Sequence, residues 1–135
     1  MDKLFSKTSI VLTAVLSVIT FLFGDFSKLL ITLIAMVVFD YITGVMKAVI
    51  TKTVSSEIGA KGIIKKAFLF CIVAVAHMVQ AVIDTDIPIR DIVICFYVAN
   101  EGISILENSS EFIPIPEKLK DILLQIRQKG DDEND

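Results

Sequence analysis

Two carboxylates stand where hydrocarbon is expected. Asp40 interrupts an apolar stretch from about Leu29 to Ile50, and Glu101 falls in the second half of another, about Ile89 to Leu106. An ionisable group at membrane depth is costly, so each needs a protein partner, water or a shallow position. On a helix Asp40, Gly44, Lys47 and Ala48 share one face, at i, i+4, i+7 and i+8. Gly44 and Ala48 form a small-xxx-small pair that lets another helix approach closely. One face therefore offers both a carboxylate and a packing seam, the pattern of an oligomer interface or of the lining of a wet path. A carboxylate bonded inside a fixed bundle gives the same pattern, and so does a coupling residue in a transporter.

His77 has Ala74 and Ala81 at i−3 and i+4, and reads either as a satisfied helix-facing histidine or as a partner for Asp40 or Glu101. A lone histidine cannot build a metal site. Cys71 and Cys95 lie in apolar runs with no CxxC spacing and read as small buried apolar groups. No Ser-His-Asp or Cys-His arrangement is visible, so neither an enzyme nor a cofactor or metal is expected. Gly59-Ala60-Lys61-Gly62 has no strand before it and lacks P-loop spacing. It reads as a flexible turn before a helix.

These residues must be carried by membrane helices. The chain is 54% hydrophobic with a mean hydropathy of +0.73, too apolar for a soluble domain of 135 residues. Apolar segments are expected at about 8–24, 29–50, 63–83 and 89–106, each near the ~20 residues that cross a bilayer. The first follows Lys3 and Lys7 but ends Phe23-Gly24-Asp25 with no small-x-small cleavage site, so it reads as an uncleaved helix. The fourth is the least apolar, because of Asn100 and Glu101. The expectation is an all-α integral membrane protein with three to four transmembrane helices.

A short loop between the second and third segments is expected to carry Lys47, Lys52, Lys61, Lys65 and Lys66 against one acid, Glu57. With four spans, 11 of the 13 basic residues share a side, and only Lys28 and Arg90 lie opposite. The positive-inside rule then places both termini in the bacterial cytoplasm, and the lysine cluster against anionic lipid. No basic face with interleaved aromatics points to nucleic acid.

Residues 108–135 are expected to form a cytoplasmic region. A polar loop leads to Pro114 and Pro116, and an amphipathic helix is expected over 116–129, with Leu119, Ile122, Leu123 and Ile126 in a stripe. It is suited to the inner leaflet or to pairing with copies of itself. Gly130 is expected to end it, before an acidic tail of Asp131, Asp132, Glu133, Asn134 and Asp135.

Five motifs in order make a specific pattern: Asp40-Tyr41-Ile42-Thr43-Gly44; Ser55 to Lys66, reading SSEIGAKGIIKK; Ala76-His77; Phe96 to Asn108, reading FYVANEGISILEN; and Pro114 to Lys120, reading PIPEKLK. Together they resemble the toxin-secretion and phage-lysis holin family over about residues 29–129. The resemblance implies a small cytoplasmic-membrane protein that accumulates, then forms homo-oligomeric, non-selective lesions through which an endolysin or a secreted toxin gains passage. In that reading Asp40, Gly44, Ala48, His77, Asn100 and Glu101 are candidates for the oligomer or pore, and the lysine cluster holds topology. The rivals are an antiholin or membrane scaffold, which predicts no leakage, and a small ion or multidrug transporter, which predicts a selective path.

Overall fold

Two helices begin where a serine closes the preceding loop. Ser27 and Ser55 are extended, and their side chains accept hydrogen bonds from the amides of Leu30 and Ile58, each satisfying a donor that the first turn leaves free. The computed structural model describes residues 1–132. It holds five helices: α1 (Asp2–Phe23), α2 (Lys28–Ile50), α3 (Ser56–Val82), α4 (Ile89–Ser109) and α5 (Glu117–Asp132). There is no strand among the described residues.

Several boundaries differ from the sequence reading. Helix α3 starts at Ser56, seven residues before the expected 63. With the Ser55 cap, Glu57 sits in the first turn, where an acid favours the helix dipole, and pairs with Lys61 one turn on at 3.1 Å. The Gly59–Gly62 stretch is therefore helix and not a flexible turn. The basic loop shrinks to Thr51–Ser55 and keeps only Lys52; Lys47 closes α2, while Lys61, Lys65 and Lys66 ride on α3. Helix α1 begins at Asp2, ahead of the expected 8. Helix α5 runs through Gly130 to Asp132, because Gly130 is buried against Phe96 and does not end the helix. Of the expected acidic tail, Glu133, Asn134 and Asp135 lie outside the described residues.

Helices α1, α2 and α3 are long and apolar enough to cross a membrane. Their outward faces show large hydrophobic side chains, such as Val11, Ile31, Val38, Phe68 and Ile72. Lipid can cover such faces, whereas water would expose a large apolar area. Leu30, Leu33 and Val37 of α2 pack with Leu69 and Val73 of α3 and Ile94 of α4 to form the core. Helix α1 has no buried residue and joins the bundle at its C-terminal end, where the rings of Phe23 and Phe70 meet edge to face.

Helix α4 holds the centre. It packs against α2, α3 and α5, and all its residues except Asp91 and Glu107 are at least half enclosed. It runs parallel to α2 and in register with it: Arg90 meets Asp25 at one end, and Asn108 meets Asp40 and Thr43 towards the other. The least apolar of the four long helices is the one most surrounded by protein, so its polar residues do not have to face lipid. Helix α5 turns back along α4, with Leu123 lying over Gly102 and Gly130 against Phe96.

Candidate functional site

Lys66 lies ten residues into α3. The basic loop expected from the sequence would have left it in water, but the early start of α3 places it on a helix facing inward. Its Nζ donates to Oδ2 of Asp40 on α2 and, at 2.7 Å, to Oε2 of Glu101 on α4. The Lys66 side chain is 16% exposed and those of Asp40 and Glu101 are 13% exposed. Both carboxylates singled out in the sequence therefore meet at one ammonium, and three helices are tied at one point. Asn108 extends the cluster: its Nδ2 is 3.2 Å from Asp40 Oδ1 and 3.1 Å from Thr43 Oγ1. Two acids face one base, so the cluster carries one negative charge when all three are ionised. A charge-assisted network of this kind offsets the desolvation that isolated ions would suffer.

The cluster lies beside a cleft of about 1110 Å³ between α2 and α3, whose lining includes Gly44, Ala48, Ser55, Lys65, Lys66 and Ser104. Gly44 is where α4 comes near: a Cβ there would lie 3.6 Å from Asn108 Nδ2. The neighbour at Gly44 is thus a side chain of the same chain, Asn108 of α4. Lys47 pairs with Glu111 across the α2–α4 end at 2.9 Å. Lys52, Lys61 and Lys65 are exposed around the same end of the bundle. Asn100, half-buried on α4, lies next to the cluster in sequence but makes no hydrogen bond within it.

His77 is not part of this cluster. It sits at the opposite end, against Gly24, with Arg90 beside it. There Arg90, only 7% exposed, donates from Nη2 to the Asp25 carbonyl at 2.7 Å and lies 3.6 Å from the Asp25 carboxylate. Its Nε is buried without a hydrogen-bond partner. The Arg90 amide, one of the free donors of the α4 start, gives its hydrogen to Gln80 Oε1 at 2.8 Å. Thus α1, α2, α3 and α4 are pinned at this corner, and α2, α3 and α4 at the Lys66 cluster.

The sequence reading missed Lys66, Asn108 and Arg90 as partners. The only signal for Lys66 was a demand: two acids at membrane depth require a cation, and Lys66 is the basic residue closest to the apolar core of the third segment. Among the described residues no group of three His, Cys, Asp or Glu could hold a metal ion, and Cys71 and Cys95 are free thiols.

The sequence model of a bacteriophage holin family matches residues 17–128. The chain belongs to this family. A protein of Bacillus phage phi105 named "Probable holin" is 33% identical over 112 residues, covering 82% of each chain. An uncharacterized 14.9 kDa protein of Clostridium perfringens is 42% identical over 112 residues, 82% of this chain and 85% of its own. An uncharacterized protein of Listeria monocytogenes is 41% identical over 115 residues, 84% and 82% respectively. No solved structure matches the chain. All five motifs begin inside the matched region of this holin-family protein, and the Lys66 cluster lies wholly within it.

Proposed function

We propose that this membrane protein is a holin: it oligomerises in the bacterial cytoplasmic membrane into lesions that let a murein hydrolase, or a toxin, reach the wall. The likeness to the phage phi105 protein over 82% of both chains carries this reading. The fold supports it physically. Asp40, Lys66 and Glu101 on the inner faces of α2, α3 and α4 are paired within the chain, so these charges do not have to meet lipid singly. Asp40, Gly44 and Glu101 then act first by holding the bundle together, and His77 by packing at its other end, while Ala48 and Asn100 remain candidates for contacts between copies.

Four crossings suit the register of α4 with α2, with the N-terminus and the Lys52 loop in the cytoplasm. Lys61 and Lys65 would meet anionic headgroups there, each contributing about 1 kcal/mol near the surface.

The test is expression in a bacterial host with and without a cytoplasmic murein hydrolase, following culture density and release of a folded reporter. Loss of membrane integrity, with lysis only alongside the hydrolase, is the expected result. Ion or dye leakage without hydrolase access would mean a small channel or transporter. Verified membrane insertion with no leakage at all would mean an antiholin or scaffold.

A further inference from the structure

Helix α5 presents an unresolved demand. It runs antiparallel to α4, and the two meet at close range: a Cβ on Gly102 would lie 3.0 Å from Leu123 Cδ1, and one on Gly130 would lie 2.9 Å from Phe96 Cδ2. Phe96 is seven residues from the start of α4, about 10 Å along its axis. Gly102 is about 20 Å along the same axis. Since α4 is level with the membrane-length helix α2 from Arg90 to Asn108, most of α5 lies within the same slab. Its outward line is Lys118, Asp121, Gln125 and Gln128, all exposed. Such a face cannot lie in hydrocarbon without heavy cost. A neighbouring edge of the same helix, Leu119, Ile122 and Ile126, is apolar and only partly covered. A helix with one polar line and one apolar edge, held at membrane depth, is suited to a boundary between water and either lipid or protein.

We propose that the α4–α5 hairpin is the water-facing wall of the assembled lesion: the line Lys118, Asp121, Gln125, Gln128 borders the aqueous passage, while α1, α2 and α3 face lipid. This rests on the holin reading above and adds which surface of the chain meets water. The outward faces of α1 to α3 are too apolar to serve, and the polar cleft between α2 and α3 is taken up by the Lys66 cluster. The Lys66 cluster lines the separate cleft between α2 and α3, which α5 does not reach, since α5 packs on α4 alone. Copies arranged with α5 inward would enclose a polar lumen without any helix having to leave the bundle.

The test uses the full chain with Cys71→Ala and Cys95→Ala, reconstituted in vesicles loaded with a fluorescent dextran. A first arm adds Phe96→Cys and Gly130→Cys. A Cβ on Gly130 lies 3.2 Å from the Phe96 Cβ, close to the ~3.8 Å separation of a disulfide. The oxidised pair, locking α5 to α4, should release dextran within twofold of the reduced pair. Release that stops on oxidation and returns with reductant would overturn the proposal, because α5 would then have to leave α4. A second arm leaves α5 unlocked and places single fluorophores through Gln125→Cys, Gln128→Cys, Ile122→Cys or Ile34→Cys. Iodide should quench positions 125 and 128 more than position 122, and lipid brominated deep in the acyl chain should quench position 34. Quenching of 125 and 128 by brominated lipid, or equal iodide quenching at 122 and 125, would also overturn it. If the unlocked chain releases no dextran, the holin reading fails, while the quenching pattern still decides where α5 lies.

Discussion

Lys66 on α3 and Glu101 on α4 are joined at 2.7 Å, and the same ammonium holds Asp40 on α2. One side chain therefore fixes the mutual positions of three helices in a bundle where hydrophobic burial is worth little once lipid replaces water. In a membrane, polar contacts and close packing have to supply the specificity that the hydrophobic effect gives a soluble core. Helices α2 and α3 splay apart around the adjacent cleft, so few apolar contacts can substitute for the ion pairs there.

Lys66→Met should destabilise the protein strongly, since it leaves two enclosed carboxylates without a cation. Removal of one partner from a buried pair costs about 3–5 kcal/mol. Glu57→Gln, which breaks the exposed Glu57–Lys61 pair, should cost less than about 0.5 kcal/mol. Thermal melting in detergent micelles, read by circular dichroism, gives both values. Equal melting temperatures for the two variants would remove Lys66 from its structural role.

Gly44 separates a packing role from a merely small side chain. A methyl there would sit 3.6 Å from Asn108 Nδ2, an ordinary contact. Gly44→Ala should therefore be nearly neutral, and by raising helix propensity it is worth up to about 1 kcal/mol. Gly44→Leu must push Asn108 off Asp40 and Thr43, at a cost of about 1–3 kcal/mol. The same melting experiment decides it, with chemical crosslinking in membranes to follow assembly. A leucine variant as stable as the parent would show that α4 yields freely at this point.

The apolar lengths and the capping serines made the helices legible, because span length and turn chemistry are local properties. The need for polar partners at Asp40 and Glu101 was legible too, but the identity of the partner was not. Lys66 is 26 residues from Asp40 and 35 from Glu101 in sequence, and only the register of α3 brings them together. That register was misread because glycines and lysines over 59–66 look like a loop, whereas the Ser55 cap and Glu57 start the helix early. Gly130 was misread for a related reason: a glycine near a helix end signals a stop, yet here it admits Phe96. The weak apolar character of α4 looked like doubt about a fourth crossing. In the fold it reflects a central position, with Glu101 and Asn108 facing protein.

Arg90 gives the far end its own anchor. Arg90→Met removes the hydrogen bond to the Asp25 carbonyl and the pair with its carboxylate, while it also removes a buried Nε that has no partner. The losses and the gain offset in part, so the variant should lose about 1–2 kcal/mol, in line with loss of a hydrogen bond to a charged group. A larger loss, above that of Lys66→Met, would make this corner the dominant anchor of the bundle.

Gly24 tests how α1 is attached, because it is demanding in two independent ways. Its φ is 79° and ψ −162°, a region open to glycine and nearly closed to other residues, with a cost of about 1–3 kcal/mol for a side chain. A Cβ there would also lie 2.9 Å from His77 Cε1 and 3.4 Å from Arg90 Nε. The strain cannot be relieved by a small shift, since Arg90 is held by Asp25 immediately beyond. Gly24→Ala should therefore loosen α1 from α3 while leaving the Lys66 cluster intact. Protease cleavage in the 24–27 connection should rise several-fold in micelles, whereas melting of the α2–α4 bundle should move little. His77→Ala should ease the clash and recover part of the protection in the double variant. If Gly24→Ala alone is as protected as the parent, α1 is held by contacts other than this corner.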